Sequence, residues 1–132
     1  MDNIRIGVAA DILGVSVERL RRLINEGYLK EERTAGGHRT VDPLDLAEFL
    51  NSNLAFESVN LPKLSARNRF LGLVTDVKSD QIMSQVNMAS GKNRIVSLMT
   101  TEAVRDLKLE KGKIALASVK ASAVTVEVVD NL

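Results

Sequence analysis

Near the middle of the chain Ser65-Ala66-Arg67-Asn68 heads a strand-like stretch, and Val119-Lys120-Ala121-Ser122 follows near its end. Between them, Thr100 precedes a short helical run. Two cations, several hydroxyls and small residues that leave backbone N–H groups bare suit a small tetrahedral dianion, which needs positive charge and many short donors together. Each charge-assisted hydrogen bond contributes about 1.5–3 kcal/mol, so several are needed to offset dehydration of such an anion. A second constellation lies in the first half of the chain. Ser16, Glu18, Arg19, Arg21 and Arg22 share one short segment, and Arg33, Thr34, Gly36, Gly37, His38 and Arg39 surround a glycine pair. Arginines on a helix face beside a donor-rich turn are suited to phosphates and base edges of duplex DNA.

Other chemistries are poorly provided for. With no cysteine there is no disulfide framework and no thiolate metal site, and a single histidine removes most imidazole-based metal and catalytic options. No base stands paired with a nucleophile, and no glycine loop is built to cradle a nucleotide phosphate. No catalytic residue, no metal-cation site and no enzyme activity are therefore expected. The net charge of +1 does not announce a nucleic-acid binder, so a DNA reading rests on local clustering. No apolar run is long enough to span a bilayer, and Asp2 with its neighbours does not read as a signal peptide, so a cytoplasmic protein is expected with no membrane partner.

These groups must be positioned by elements legible in the pattern. Residues 4 to 52 read as helical, with apolar recurrence at Val8, Ala9, Ile12 and Leu13 and again at Leu20, Leu23 and Ile24. Gly14 turns the chain, Ser16 caps a second helix, and Gly27 ends it in a left-handed conformation. Asp42-Pro43 opens a third helix through Leu50, and Gly36-Gly37 marks the turn of a hairpin between the second and third helices. From Phe70 the period becomes two. Strands are predicted over Leu71–Val77, Ile82–Met88, Ile95–Met99, Ile114–Val119 and Val124–Val129, with a short helix over Glu102–Leu107. The fold class is thus α+β, a mainly helical N-terminal unit followed by a five-stranded barrel of the oligonucleotide/oligosaccharide-binding type with one short helix. The domain bounds read 1–53, a linker over 54–64, and 65–132. With one Tyr, three Phe and no Trp, both cores must be aliphatic and small, which favours oligomerisation.

From Ile4 to Leu50 the chain resembles the winged helix-turn-helix of the MerR and excisionase families, most strongly in Thr34-Ala35-Gly36-Gly37-His38-Arg39, with support from Leu13-Gly14-Val15-Ser16 and Arg22-Leu23-Ile24. The resemblance implies a recognition helix carrying Arg22 and its neighbours, and a wing at the glycine tip. The usual Ser or Thr cap on the first helix and the long dimerising helix of many MerR proteins are missing. Residues 65 to 129 resemble the molybdenum-pterin-binding (Mop) or TOBE domain, the opening Ser-Ala-Arg-Asn being the most specific part. That resemblance implies molybdate or tungstate as ligand, with Ser65, Arg67, Thr100, Lys120 and Ala121 or Ser122 at the ligand-binding positions. It also implies sites between subunits, each unit completed by a neighbour, and hence at least a homodimer.

The reading that results is a DNA-binding transcription regulator responsive to molybdate or tungstate, with double-stranded DNA, the oxyanion and a second copy as partners. Two alternatives compete with it: a molybdate storage or buffering protein, and an excisionase-like DNA binder whose barrel serves only oligomerisation.

Overall fold

Apolar side chains every third or fourth residue wind Ile6–Leu13 into helix α1 and Val17–Asn25 into α2. In the computed structural model, which describes residues 2–52 and 68–130, they begin the first of two units. Gly14 ends α1 at φ 73°, and the Ser16 hydroxyl caps α2 by accepting from the Arg19 N–H at 3.1 Å. After α2, Gly27 at φ 89° reverses the chain. Strands β2 (Glu31–Arg33) and β3 (Arg39–Val41) form the hairpin, and α3 (Pro43–Ser52) starts where the Asp42 carboxylate accepts from the N–H groups of Leu44 and Asp45.

Two expectations for this unit are corrected. Ile4–Arg5 is not helical but a short strand, β1, which pairs with Val41 and Thr40 and makes a three-stranded sheet of order β1-β3-β2. The buried stripe of α1 also runs one position out of phase with the expected one: Ala9 and Ala10 are buried with Ile6 and Leu13 against them, while Ile12 is 53% exposed. The side of α1 that faces Leu20, Leu29, Val41 and Leu46 decides the phase.

The second unit is a curled antiparallel sheet of order β6-β5-β4-β7, formed by β4 (Asn68–Ser79), β5 (Met83–Ser90), β6 (Asn93–Thr100) and β7 (Ile114–Val119). A register shift between Val74 and Asp76 bends β4, so its first half pairs with β7 and its second half with β5. Gly72 sits at the crossing, where a Cβ would collide with the Ala89 carbonyl oxygen. Helix α4 (Thr101–Leu107) packs Val104 onto Val74, Val86 and Met88. A hydroxyl relay, buried at Ser84 and Thr101, ties it to the β4–β5 turn: Ser79 and Ser84 hydroxyls meet at 2.7 Å, those of Ser84 and Thr101 at 2.9 Å, and Thr101 also donates to the Asp80 carbonyl.

The fold class stands, but the expected fifth strand has no pairing among the described residues. Val124–Val129 carries no strand pairing, and Val126 and Val128 are 88% and 86% exposed. A strand needs a free edge to join, and this segment joins neither β6 nor β7, the edges of the sheet. The inner face of the sheet accordingly lies open as a trough of about 510 Å³ lined by Val86, Met88, Ile95, Met99, Ala115 and Ala117.

Candidate functional site

Burying Leu20 turns the opposite side of α2 outward, so Glu18, Arg19, Arg21 and Arg22 are all exposed, as the helical spacing predicts. Ser16 is engaged as the helix cap rather than free. Arg22, in the last turn, also complements the carbonyl end of the helix.

The wing is a closed turn rather than a loose tip. The Thr34 N–H donates to the His38 carbonyl and the Gly37 N–H to the Thr34 carbonyl, both at 2.9 Å, while the Thr34 hydroxyl accepts from the His38 N–H at 3.1 Å. Gly37 takes φ 82°, a conformation in which a side chain is strained, and Gly36 gives room beside the His38 ring. Arg33 reaches the Gly37 carbonyl at 3.4 Å. Arg39 is held by Glu31 in an ion pair of 3.1 Å, so its charge is shared and less available than the sequence suggests. His38 remains exposed beside the tip.

In the second unit Ser65 and Arg67 lie outside the described residues. Asn68, next in the motif, donates its side-chain amide to the Val119 carbonyl at 3.2 Å and pairs with Val119 in the β4–β7 register. Lys120 follows directly and leads into a 3-10 turn over Ala121–Ala123, in which the Ala123 N–H donates to the Lys120 carbonyl; Lys120, Ala121 and Ser122 are all exposed. Thr100 caps α4 by accepting from the Ala103 N–H at 3.1 Å, which leaves its hydroxyl proton free to donate.

The ladder does not bring Thr100 beside Lys120 within one chain. Thr100 pairs with Met83, next to the Ser79–Ser84 end of β4, whereas Lys120 leaves the sheet at the Asn68 end. The buried hydroxyl relay through Ser84 and Thr101 was not legible in the sequence, because its members meet only through sheet register. Among the described residues no group of three or more His, Cys, Asp and Glu side chains could hold a metal ion. No described helix is long and apolar enough to cross a membrane.

Comparison with known proteins assigns the two units separately. Residues 64–126 match the TOBE domain and residues 5–40 the MerR family regulatory protein. Over 63 residues the chain is 41% identical to the molybdenum transport protein ModE of Herbaspirillum seropedicae, covering 47% of this chain but 23% of that protein. The chain thus spans about a quarter of ModE. Over 67 residues it is 37% identical to a probable molybdenum-pterin-binding protein of Haemophilus influenzae, covering 50% of this chain and 97% of the relative. Solved structures with similar units include a molybdate-binding protein from Sporomusa ovata, 28% identical with a TM-score of 0.49, over 51% of this chain and 100% of that one. MopII from Clostridium pasteurianum is 28% identical with a TM-score of 0.48, over 50% of this chain and 100% of its own. Since the second unit spans nearly the whole of the Haemophilus relative at that identity, the chain belongs to the molybdenum-pterin-binding protein family, and a segment similar to the MerR family regulatory protein precedes its TOBE domain.

Proposed function

We propose that the chain is a one-component transcription regulator in which the MerR-type unit binds operator DNA and the TOBE unit senses molybdate or tungstate. The observation that carries this reading is the joining, in one chain, of an exposed arginine face on α2 to a TOBE unit whose sheet is left open. Ser65, Arg67, Thr100, Lys120, Ala121 and Ser122 are the proposed oxyanion donors. Arg and Lys supply charge, the hydroxyls and bare N–H groups supply short donors, and this set suits an oxide dianion.

A single chain separates Thr100 from Lys120, so the anion site is proposed to form between copies, with the Val124–Val129 segment of one copy completing the open sheet of the other. Occupancy would then be linked to assembly, and assembly to the spacing of two DNA readers. The anion regulates only through different affinities for two assembled geometries.

Calorimetric titration with molybdate, tungstate and sulfate, read beside native mass and operator binding with and without molybdate, tests the proposal. Binding of molybdate that alters operator affinity or oligomeric state supports it. If molybdate changed neither, the sensor role would be lost even with the anion bound. The near-complete coverage of a relative that lacks the MerR-type half favours a store as the second reading. A store predicts that Arg22→Ala alters no functional readout.

A further inference from the structure

The base of the wing and the starts of two helices enclose an open depression of about 540 Å³. Arg5, Gly7 and Val8 line it from the beginning of the chain, Val17 from the start of α2, and His38 and Arg39 from the hairpin. Arg5 is exposed, and beyond its backbone pairing with Thr40 its guanidinium has no hydrogen-bond or ion-pair partner among the described residues, in contrast to Arg39, which Glu31 holds. Gly7 carries no side chain, and a Cβ added there would meet nothing within 4 Å, so the backbone at the start of α1 is uncovered on this side. No side chain caps that helix start.

We infer that this depression seats one phosphate of the DNA backbone, with Arg5 as its principal cation. The inference rests on the DNA-binding reading above and adds to it a contact outside both the recognition helix and the wing tip. Arg5 supplies an unshared guanidinium, His38 adds an imidazole donor, and the absent side chain of Gly7 leaves space for the phosphate to approach. Asp11, farther along α1, also lines the depression and keeps an anion at the mouth rather than deep inside. A phosphate contact of this kind positions the protein on the duplex without reading sequence.

The test uses the full chain and two labelled duplexes, one enriched from a random-sequence pool by the wild-type protein and one a shuffled duplex of the same composition. Binding is followed by fluorescence anisotropy over a salt series, with thermal unfolding as a check on folding. Arg5→Ala is expected to weaken binding to both duplexes by a similar factor of about ten, and to reduce the slope of log affinity against log salt by about one. Arg5→Lys keeps the slope. Gly7→Leu, which fills open space while preserving every charge, is expected to weaken both duplexes as well. An unchanged slope in Arg5→Ala, an effect confined to the enriched duplex, or unchanged affinity in Gly7→Leu would overturn the inference while leaving the DNA reading intact. Wild-type chain that bound neither duplex would overturn both.

Discussion

Asn68 and Val119 are partners in the last rung of the β4–β7 ladder, and the Asn68 side-chain amide closes that rung on the Val119 carbonyl at 3.2 Å. Asn68 follows Arg67 in sequence and Val119 precedes Lys120. One hydrogen bond therefore ties the strand that starts after one proposed anion ligand to the strand that ends before another. Removing it costs about 1 kcal/mol, so Asn68→Ala should weaken molybdate binding about fivefold without unfolding the unit. Asn68→Asp should do worse, because a carboxylate would face both a carbonyl oxygen and a dianion. Calorimetry with sodium molybdate decides it, and wild-type affinity in both variants would remove Asn68 from the site.

Gly72 is required by the close crossing of β4 against Ala89. A methyl group there would collide with the Ala89 carbonyl oxygen and lie 3.0 Å from its carbon, both backbone atoms that cannot rotate away. Gly72→Ala should destabilise the second unit by about 1–3 kcal/mol through forced backbone displacement. Gly7→Ala, at a helical position with open space, should be neutral or stabilising by up to about 1 kcal/mol. Urea titration of the two variants provides the contrast, and equal midpoints would show that the sheet shifts without cost.

What was legible in the sequence was local chemistry. Ser16 as a cap, Asp42 before Pro43, and Gly14 and Gly27 at helix ends act through bonds spanning a few residues, and each is found where the spacing placed it. What escaped depends on distant partners. Ile4–Arg5 is too short to show a period of two, and only Thr40 and Val41 make it a strand. The alternation of Val124, Val126 and Val128 is strand-like, yet neither edge of the described sheets receives it. For the candidate site, the residue types were readable but their separation was not, since the distance between Thr100 and Lys120 is set by the course of the ladder.

Asp80 gives a pH dependence of known sign. Its carboxylate accepts from the N–H groups of Met83 and Ile82, each at 2.8 Å, and these bonds hold its pKa below the ordinary 3.8. A folded pKa below the unfolded one means that the stabilisation is present above the unfolded value. It is lost as pH falls, because the unfolded chain takes up the proton first. Wild-type protein should therefore be more stable than Asp80→Asn by a constant margin at neutral pH, and the margin should shrink as pH drops below about 4. A series of thermal unfolding curves measures this, and a margin that grew on acidification would contradict the assigned hydrogen bonds.

On the proposed reading, the exposed segment Val124–Val129 is what joins one copy to another. Val126 and Val128, at 88% and 86% exposure, present apolar surface to solvent, while the inner face of the same sheet is an apolar trough open between β6 and β7. Fully burying one valine stabilises by about 1.5–3 kcal/mol, so two valines seated in a second copy would contribute about 3–6 kcal/mol toward a dimer. Reciprocal exchange doubles the contribution, because each copy both donates and receives. Val126→Asp with Val128→Asp would place two carboxylates where the trough needs hydrocarbon. This variant should be monomeric by native mass, retain the far-ultraviolet dichroism of the sheet, and lose molybdate binding, since Thr100 and Lys120 then have no second copy to meet. A dimer that persisted with undiminished molybdate affinity would show that another surface joins the copies, and that the anion site is complete without the exchanged segment.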